Sequence, residues 1–302
     1  MPPRKTSQPP PYVRASRSSP IRRKQLQLGG LILCGVILIM FFGSTLFKPG
    51  KERAPTGTPE VVVVTFLDDA IMSPEYRQKV MENRRYYAEK QGYGVFFPNA
   101  SDYDLNNSPR TWTLVPGTRH AMAAFPHSTY FFSLSPHALI MDPSVNLEEH
   151  LVGKKKLESL MLRDKPVVPP DSVIKTFAHL KGDKIDFIVT QDNEGLCQGS
   201  FVIRRGEWAK FFLDTWFDPL YRSYNFQKAE GHALEHIVQW HPTILTKLAL
   251  VPLRILNTYN VDIATRGGQD VMYKRGDFLV RLETRDELGK LANVVQILMN
   301  EV

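Results

Sequence analysis

The sequence predicts an α/β fold, and three observations carry that expectation. Val61-Val62-Val63-Val64-Thr65-Phe66-Leu67 is a run of β-branched and apolar residues, the pattern of a strand buried on both faces of a parallel sheet. A helix signature and a second short strand follow it, giving a strand–helix–strand unit whose crossover should be right-handed. Strand-like and helix-like segments then alternate along the rest of the chain.

The segments ahead of that body read differently. Residues 1–27 are rich in Pro, Ser and Arg, lack apolar periodicity, and predict a disordered tail. Residues 28–47 (LGGLILCGVILIMFFGSTLF) carry no charge, and as a helix they match the roughly 30 Å hydrocarbon core of a bilayer. A cleaved signal peptide would have a shorter apolar core, so an uncleaved transmembrane anchor is expected. Residues 48–59 form a short stem, and residues 60–302 the folded body.

The net charge of +7 resides in the tail. Arg4, Lys5, Arg14, Arg17, Arg22, Arg23 and Lys24 account for 7 of the 38 basic residues, which leaves 31 against 31 acids. A neutral body gives no reason to expect nucleic-acid binding. A basic tail before an apolar run predicts a cytosolic N-terminus and a lumenal body. Two cysteines, Cys34 in the apolar run and Cys197 in the body, exclude a disulfide within the body, and Cys197 is expected as a buried free thiol.

Within the body, Ser73-Pro74-Glu75 opens a helix with a cap, a proline at the first turn and an acid at the positive dipole end. Gly92 stops it, and Val95–Phe97 is the next strand. Asn99-Ala100-Ser101 and Asn106-Asn107-Ser108 place two N-glycosylation acceptors, Asn99 and Asn106, in one polar loop. A helix is expected over Leu114–Phe125 and an aromatic strand from Tyr130. That strand ends at Ser135-Pro136-His137, a polar tripeptide before a second apolar run, Ala138–Met141. In open α/β sheets such strand ends are where ligands bind.

A short amphipathic helix is expected at Asn146–Leu151, strands at Ile185–Val189 and Ser200–Arg204, and helices at Glu207–Phe217 and His232–Trp240. Trp208, Phe211, Phe212 and Trp216 should form the core face of the first of these helices. Leu248–Leu256 reads as extended or irregular, Val280–Leu282 as a late strand and Glu287–Met299 as a closing helix. No Walker loop, GxSxG elbow or zinc-ligand spacing is present. His236 and His241 read as packed histidines, Arg119 and His120 as structural, and Glu230 as a solvated charge.

VVVVT, NRRYYAEKQGYGV, RHAMAAFPHSTYFF, SFVIRRGEW, HIVQWHPTIL and GDFLV follow one another in this order. Together they resemble glycosyltransferase family 34, the fungal galactosyl- and mannosyltransferases, from Glu60 to about Arg285. Within the family the likeness is to α-1,6-mannosyltransferase subunits of the Golgi mannan polymerase complex. The resemblance implies a Rossmann-like glycosyltransferase-A fold in a single lumenal domain behind one N-terminal transmembrane helix. It implies a single-pass type II Golgi membrane protein, GDP-mannose as donor, retaining transfer to a glycan acceptor, and other mannosyltransferase subunits as partners.

It also implies a Mn2+ site, because a bound cation neutralises the charge of a leaving nucleoside diphosphate. In the family two aspartates and a late histidine hold that ion. Here the aspartate positions fall on Ser135 and His137, between kept flanks (Leu134 and Ala138), and the histidine position on Arg281. Thr65, Asp68, Asn83 and Arg84 match the family's donor-binding positions, and Asp192 and Asn193 its acceptor side. Three outcomes stay open. Arg281 and a protonated His137 could meet the diphosphate directly. The site could be relict in an assembly subunit. His137 could ligate a metal with Asp68. A lectin-like module built on Trp208, Trp216 and Trp240 is disfavoured, because those positions read as core-facing.

Overall fold

The computed structural model describes residues 20–46, 54–168, 172–261 and 266–282. The expected closing helix, Glu287–Met299, lies outside them. The chain divides into two compact units, Met1–Arg53 and Ala54–Val302.

The first unit contains one helix, α1 (Pro20–Leu46). It starts earlier than the apolar run, inside the stretch expected to be disordered. Pro20 suits a first helical position, and Arg22, Arg23, Lys24 and Gln25 are good helix formers that extend the helix N-terminally. Among the described residues, no helix is long and apolar enough to cross a membrane. Leu28, Leu31, Ile32, Leu33 and Ile39 of α1 are exposed.

The second unit begins at Ala54, before the expected boundary at residue 60. The last stem residues are fastened to the body, where the Ser128 hydroxyl donates to the Pro59 carbonyl at 2.6 Å. β1 (Val61–Val64) is shorter than the apolar run and buried throughout. Val62 and Val64 join one hydrophobic cluster, Val61 and Val63 another. Alternating side chains thus enter both layers of the fold, as the run of four valines predicts.

α2 (Pro74–Gln91) ends where expected at both termini. Ser73 accepts a hydrogen bond from the Tyr76 amide at 3.2 Å, and Gly92 is left-handed at φ 70°. β2 (Gly94–Phe96) returns parallel to β1. After α3 (Leu114–Ala124), β3 (Tyr130–Leu134) pairs parallel with β1 on its other side. β4 (Ala138–Ile140) leaves the main sheet. The expected helix near Asn146 is a π-turn at Glu148–Val152, followed by α4 (Lys154–Leu160).

β5 (Phe187–Asp192) and β6 (Gly195–Arg204) form a hairpin longer than either expected strand. α5 (Glu207–Trp216), α6 (Pro219–Ser223) and α7 (Glu230–Trp240) follow. Phe211 departs from the expected core face of α5 and is exposed, while Phe212, Leu213 and Trp216 are buried. α8 (Pro242–Leu245) leads into β7 (Leu248–Val251), α9 (Leu253–Leu256) and β8 (Leu279–Arg281).

The six-stranded sheet has the order β2-β1-β3-β6-β5-β7. β3–β6 and β5–β6 are antiparallel; the β1–β2, β1–β3 and β5–β7 pairs are parallel. β4 and β8 make a separate antiparallel ribbon. Leu139 and Val280 pack that ribbon on Tyr76 and Val80 of α2. The ribbon fixes Arg281 opposite Ala138, beside the end of β3.

Gly92 tests the local code. A methyl there meets no atom within 4 Å, so the cost of Gly92→Ala is the left-handed backbone alone. We expect a loss of about 1 kcal/mol by denaturant titration, with Gly92→Asn costing less.

Candidate active site

The C-terminal ends of β1 and β3 open into a cavity of about 330 Å³. Asp68, Arg110, Ser135, His137, Glu230 and Arg281 lie in its wall. A second cavity of about 340 Å³ reaches from Asp192 and Gly195 to Lys228. Thr111, Gln198, Glu230 and Arg281 line both. The two spaces therefore meet at one carboxyl and one guanidinium.

Arg84 shapes the floor of the first cavity without lining it. Its side chain is fully buried on α2. It donates to Thr65 Oγ1 at 3.2 Å, Asn83 Oδ1 at 2.5 Å, the Ser135 carbonyl at 3.1 Å, and the Ala138 carbonyl. These four acceptors are neutral oxygens. Burial lowers its pKa to about 10, so the group stays charged at neutral pH. Asn83 is bound to β4, donating to the Ile140 carbonyl at 2.8 Å and accepting from the Ile140 amide at 3.1 Å. Thr65, Asn83 and Arg84, the candidate donor-binding residues, line neither cavity; Arg84 braces the Ser135–Ala138 turn on Thr65, and Asn83 holds β4. Asp68 does line the cavity, but its buried carboxylate accepts from Arg110 Nε at 2.5 Å and from the Ala70 amide at 3.0 Å.

His137 is neutral. Burial and the Arg281 charge lower its pKa to about 4. The Tyr76 hydroxyl donates to the Pro136 carbonyl at 2.9 Å, which leaves its oxygen to accept from His137 Nδ1 at 3.4 Å. Without a bound anion, His137 is therefore uncharged near neutrality. Arg281 is placed by its backbone, with its amide on the Thr258 carbonyl at 2.6 Å and the Leu282 amide on the His137 carbonyl at 2.8 Å. Gly199 makes room for its side chain, because a methyl there would lie 3.0 Å from Arg281 Nη1.

This donor set does not fit Mn2+. It offers one hydroxyl, one imidazole and a guanidinium that cannot lose its proton, whereas hard cations need carboxylate oxygens. Asp68, in the same wall, is already paired with Arg110. Among the described residues no group of three or more His, Cys, Asp or Glu is placed to hold a metal ion.

Glu230 departs most from expectation. It is 6% exposed rather than solvated. Ala229, just before it, has φ 43° and ψ −117°, a strained conformation for a residue with a Cβ. The Trp216 indole donates to the Glu230 carbonyl at 2.8 Å, and Thr111 Oγ1 donates to its carboxylate at 2.7 Å. Gln198 adds a second side-chain donor. Burial raises the carboxyl pKa; the Thr111 and Gln198 hydrogen bonds and the Arg281 charge oppose that shift. The sequence held one signal, an acid at the start of an amphipathic helix. Gln198-Gly199 also went unread, although a glycine inside a strand marks a close approach. Arg110 and Thr111 carry no sequence pattern that would distinguish them.

On the expected acceptor side, Asp192 lines the second cavity with its carboxylate committed. It accepts from the Glu194 and Gly195 amides at 2.8 and 3.1 Å and from the Tyr259 hydroxyl at 2.6 Å. Asn193 is exposed at the hairpin turn and lines neither cavity. Asn106 is exposed at φ 47°, whereas Asn99 caps a 3₁₀ turn and donates to Asp69 at 2.7 Å. Cys197 is free and buried, its thiol pushed up to about 12. Trp216 is buried and Trp208 stacks on Phe212, but Trp240 is 70% exposed and so not core-facing as expected.

The mixed α/β fold of the second unit is similar to that of a solved glycosyltransferase. A crystal structure of a glycosyltransferase involved in glycosylation of the major capsid of PBCV-1 superposes with a TM-score of 0.55 over 79% of this chain and 100% of that one, at 9% identity. The chain belongs to the galactosyl transferase GMA12/MNN10 family, whose sequence profile matches residues 57–289. An uncharacterized α-1,2-galactosyltransferase of Schizosaccharomyces pombe is 32% identical over 78% of this chain and 73% of its own length. The probable α-1,6-mannosyltransferases MNN11 and MNN10 of Saccharomyces cerevisiae are each 30% identical, over 74% and 67% of this chain. The chain spans only 56% and 53% of their lengths.

The depressed His137 pKa has a stability consequence. The unfolded chain binds this proton below about 6.5 and the folded chain only below about 4. Stability should therefore fall as the pH drops through that window, by at most about 1.4 kcal/mol per unit. Denaturant titrations of His137→Gln should show a shallower slope than wild type between these pH values.

Proposed function

We propose that the chain transfers a hexosyl group from a nucleotide sugar, concretely mannose from GDP-mannose in α-1,6 linkage, to a mannose-bearing glycan. The observation that carries this reading is the meeting of two cavities at Glu230 and Arg281. One space takes the donor, the other the acceptor, and the reacting atoms lie between. The names of the yeast relatives support mannosyl transfer; those of the fission-yeast relatives support galactosyl transfer as the competing donor chemistry.

In this scheme the sugar's C1–O bond to the diphosphate breaks and a C1–O bond to the acceptor forms. The acceptor hydroxyl proton passes to the Glu230 carboxylate. A base is most effective with its pKa near the working pH, and burial moves Glu230 in that direction. The uncharged residues 28–47 serve as a signal anchor in the Golgi membrane, with the second unit in the lumen alongside other mannosyltransferase subunits. The exposed apolar side chains of α1 and the two acceptor sequons in the second unit support that placement.

One observation favours a second reading, a non-catalytic assembly subunit: Ser135, His137 and Arg281 do not make a Mn2+ site. A transfer assay with GDP-mannose or UDP-galactose and a mannose-terminated oligosaccharide separates the two. We expect transfer from GDP-mannose, with an acid limb above the ordinary carboxylate range. Glu230→Gln should lower kcat by about 100-fold or more while changing donor affinity little. Unchanged kcat in Glu230→Gln would remove Glu230 from the chemistry. Donor binding without any transfer would favour the assembly subunit.

A further inference from the structure

The charges around the first cavity do not cancel. Asp68 is paired with Arg110, and Glu230 is the other acid in the wall. Arg281 stands in the wall, and the buried Arg84 guanidinium lies behind the Ser135–Ala138 turn with its four hydrogen bonds on neutral oxygens. Even with Glu230 ionised, two fixed cations act on the cavity against that one acid, which disfavours entry of a divalent cation. An anion carrying two or more charges would be attracted.

We propose that this cavity binds the diphosphate of a nucleotide sugar without a divalent cation, with Arg281 in the role that a metal ion would otherwise play. The proposal rests on the donor-site reading above and adds how that site handles charge. A guanidinium presents a planar fork of donors that matches phosphate oxygens in pairs. Arg281 is built into its place rather than loosely displayed. The β4–β8 ribbon sets it opposite Ala138, its own amide is held by the Thr258 carbonyl, and the bare Cα of Gly199 leaves space for Nη1. It also lines the second cavity, so the cation faces the junction where the leaving phosphate separates from the sugar. Arg84 adds long-range attraction from a site that water does not reach and so screens little.

The test is calorimetric titration of GDP, and separately UDP, into the purified full-length chain, once with EDTA and once with Mn2+. One nucleotide should bind with the same Kd within about twofold in both buffers. Arg281→Gln should weaken it at least tenfold, with no rescue by Mn2+, and Arg281→Lys should fall between. Gly199→Ala, which crowds the guanidinium from the side, should also weaken binding. Thermal melts establish that each variant is folded, and Arg281→Lys carries the comparison if Arg281→Gln is not. Binding that appears only with Mn2+ would overturn the proposal while leaving the donor site standing, as would wild-type affinity in folded Arg281→Gln. Absence of binding in both buffers would overturn the donor-site reading and this inference with it.

Discussion

The Arg84 guanidinium is the constraint on which the site depends. It ties α2, the end of β1 and the Ser135–Ala138 turn together through side-chain and carbonyl oxygens. A buried charge is costly unless its hydrogen-bonding groups are satisfied, so these oxygens must stay where they are. That requirement holds the turn between β3 and β4 in one shape. The Arg84 bond to the Ala138 carbonyl reaches the first residue of β4, whose ribbon with β8 carries Arg281 to the cavity. One buried cation thereby places a second one.

Glu230 reaches the same cavities from the opposite side by a different device. The strained Ala229 turn and the Trp216 indole set the first residue of α7 against Thr111 and Gln198. Gly231 belongs to the same arrangement, because a methyl there would strike Gln198 Nε2 at 2.6 Å. Strain at such a point is tolerated only where the surroundings over-determine it. The result is a carboxyl and a guanidinium at the boundary of two spaces.

Local rules made much of the fold legible. The Ser73 cap, Pro74 and Gly92 delimit α2 to the residue, since capping depends on nearest neighbours alone. The four valines announced a doubly buried strand. What stayed hidden depends on contacts between distant segments. Glu230 reads as a loop charge among Gln227 and Lys228 until Thr111 and Gln198 are folded against it. Asn83 and Arg84 match donor-binding positions in the sequence, and their burial emerges only once β4 packs over them. The metal-site positions were legible as positions; that His137 is neutral follows only from its burial beside Arg281.

In the proposed donor site a guanidinium, not a metal ion, meets the diphosphate. The most direct measurement is a crystal structure of the chain with GDP and Mn2+, with anomalous data collected at the manganese edge. The account predicts a diphosphate against Arg281 and no anomalous peak between Ser135 and His137. A manganese ion bridging those residues and the phosphates would contradict it.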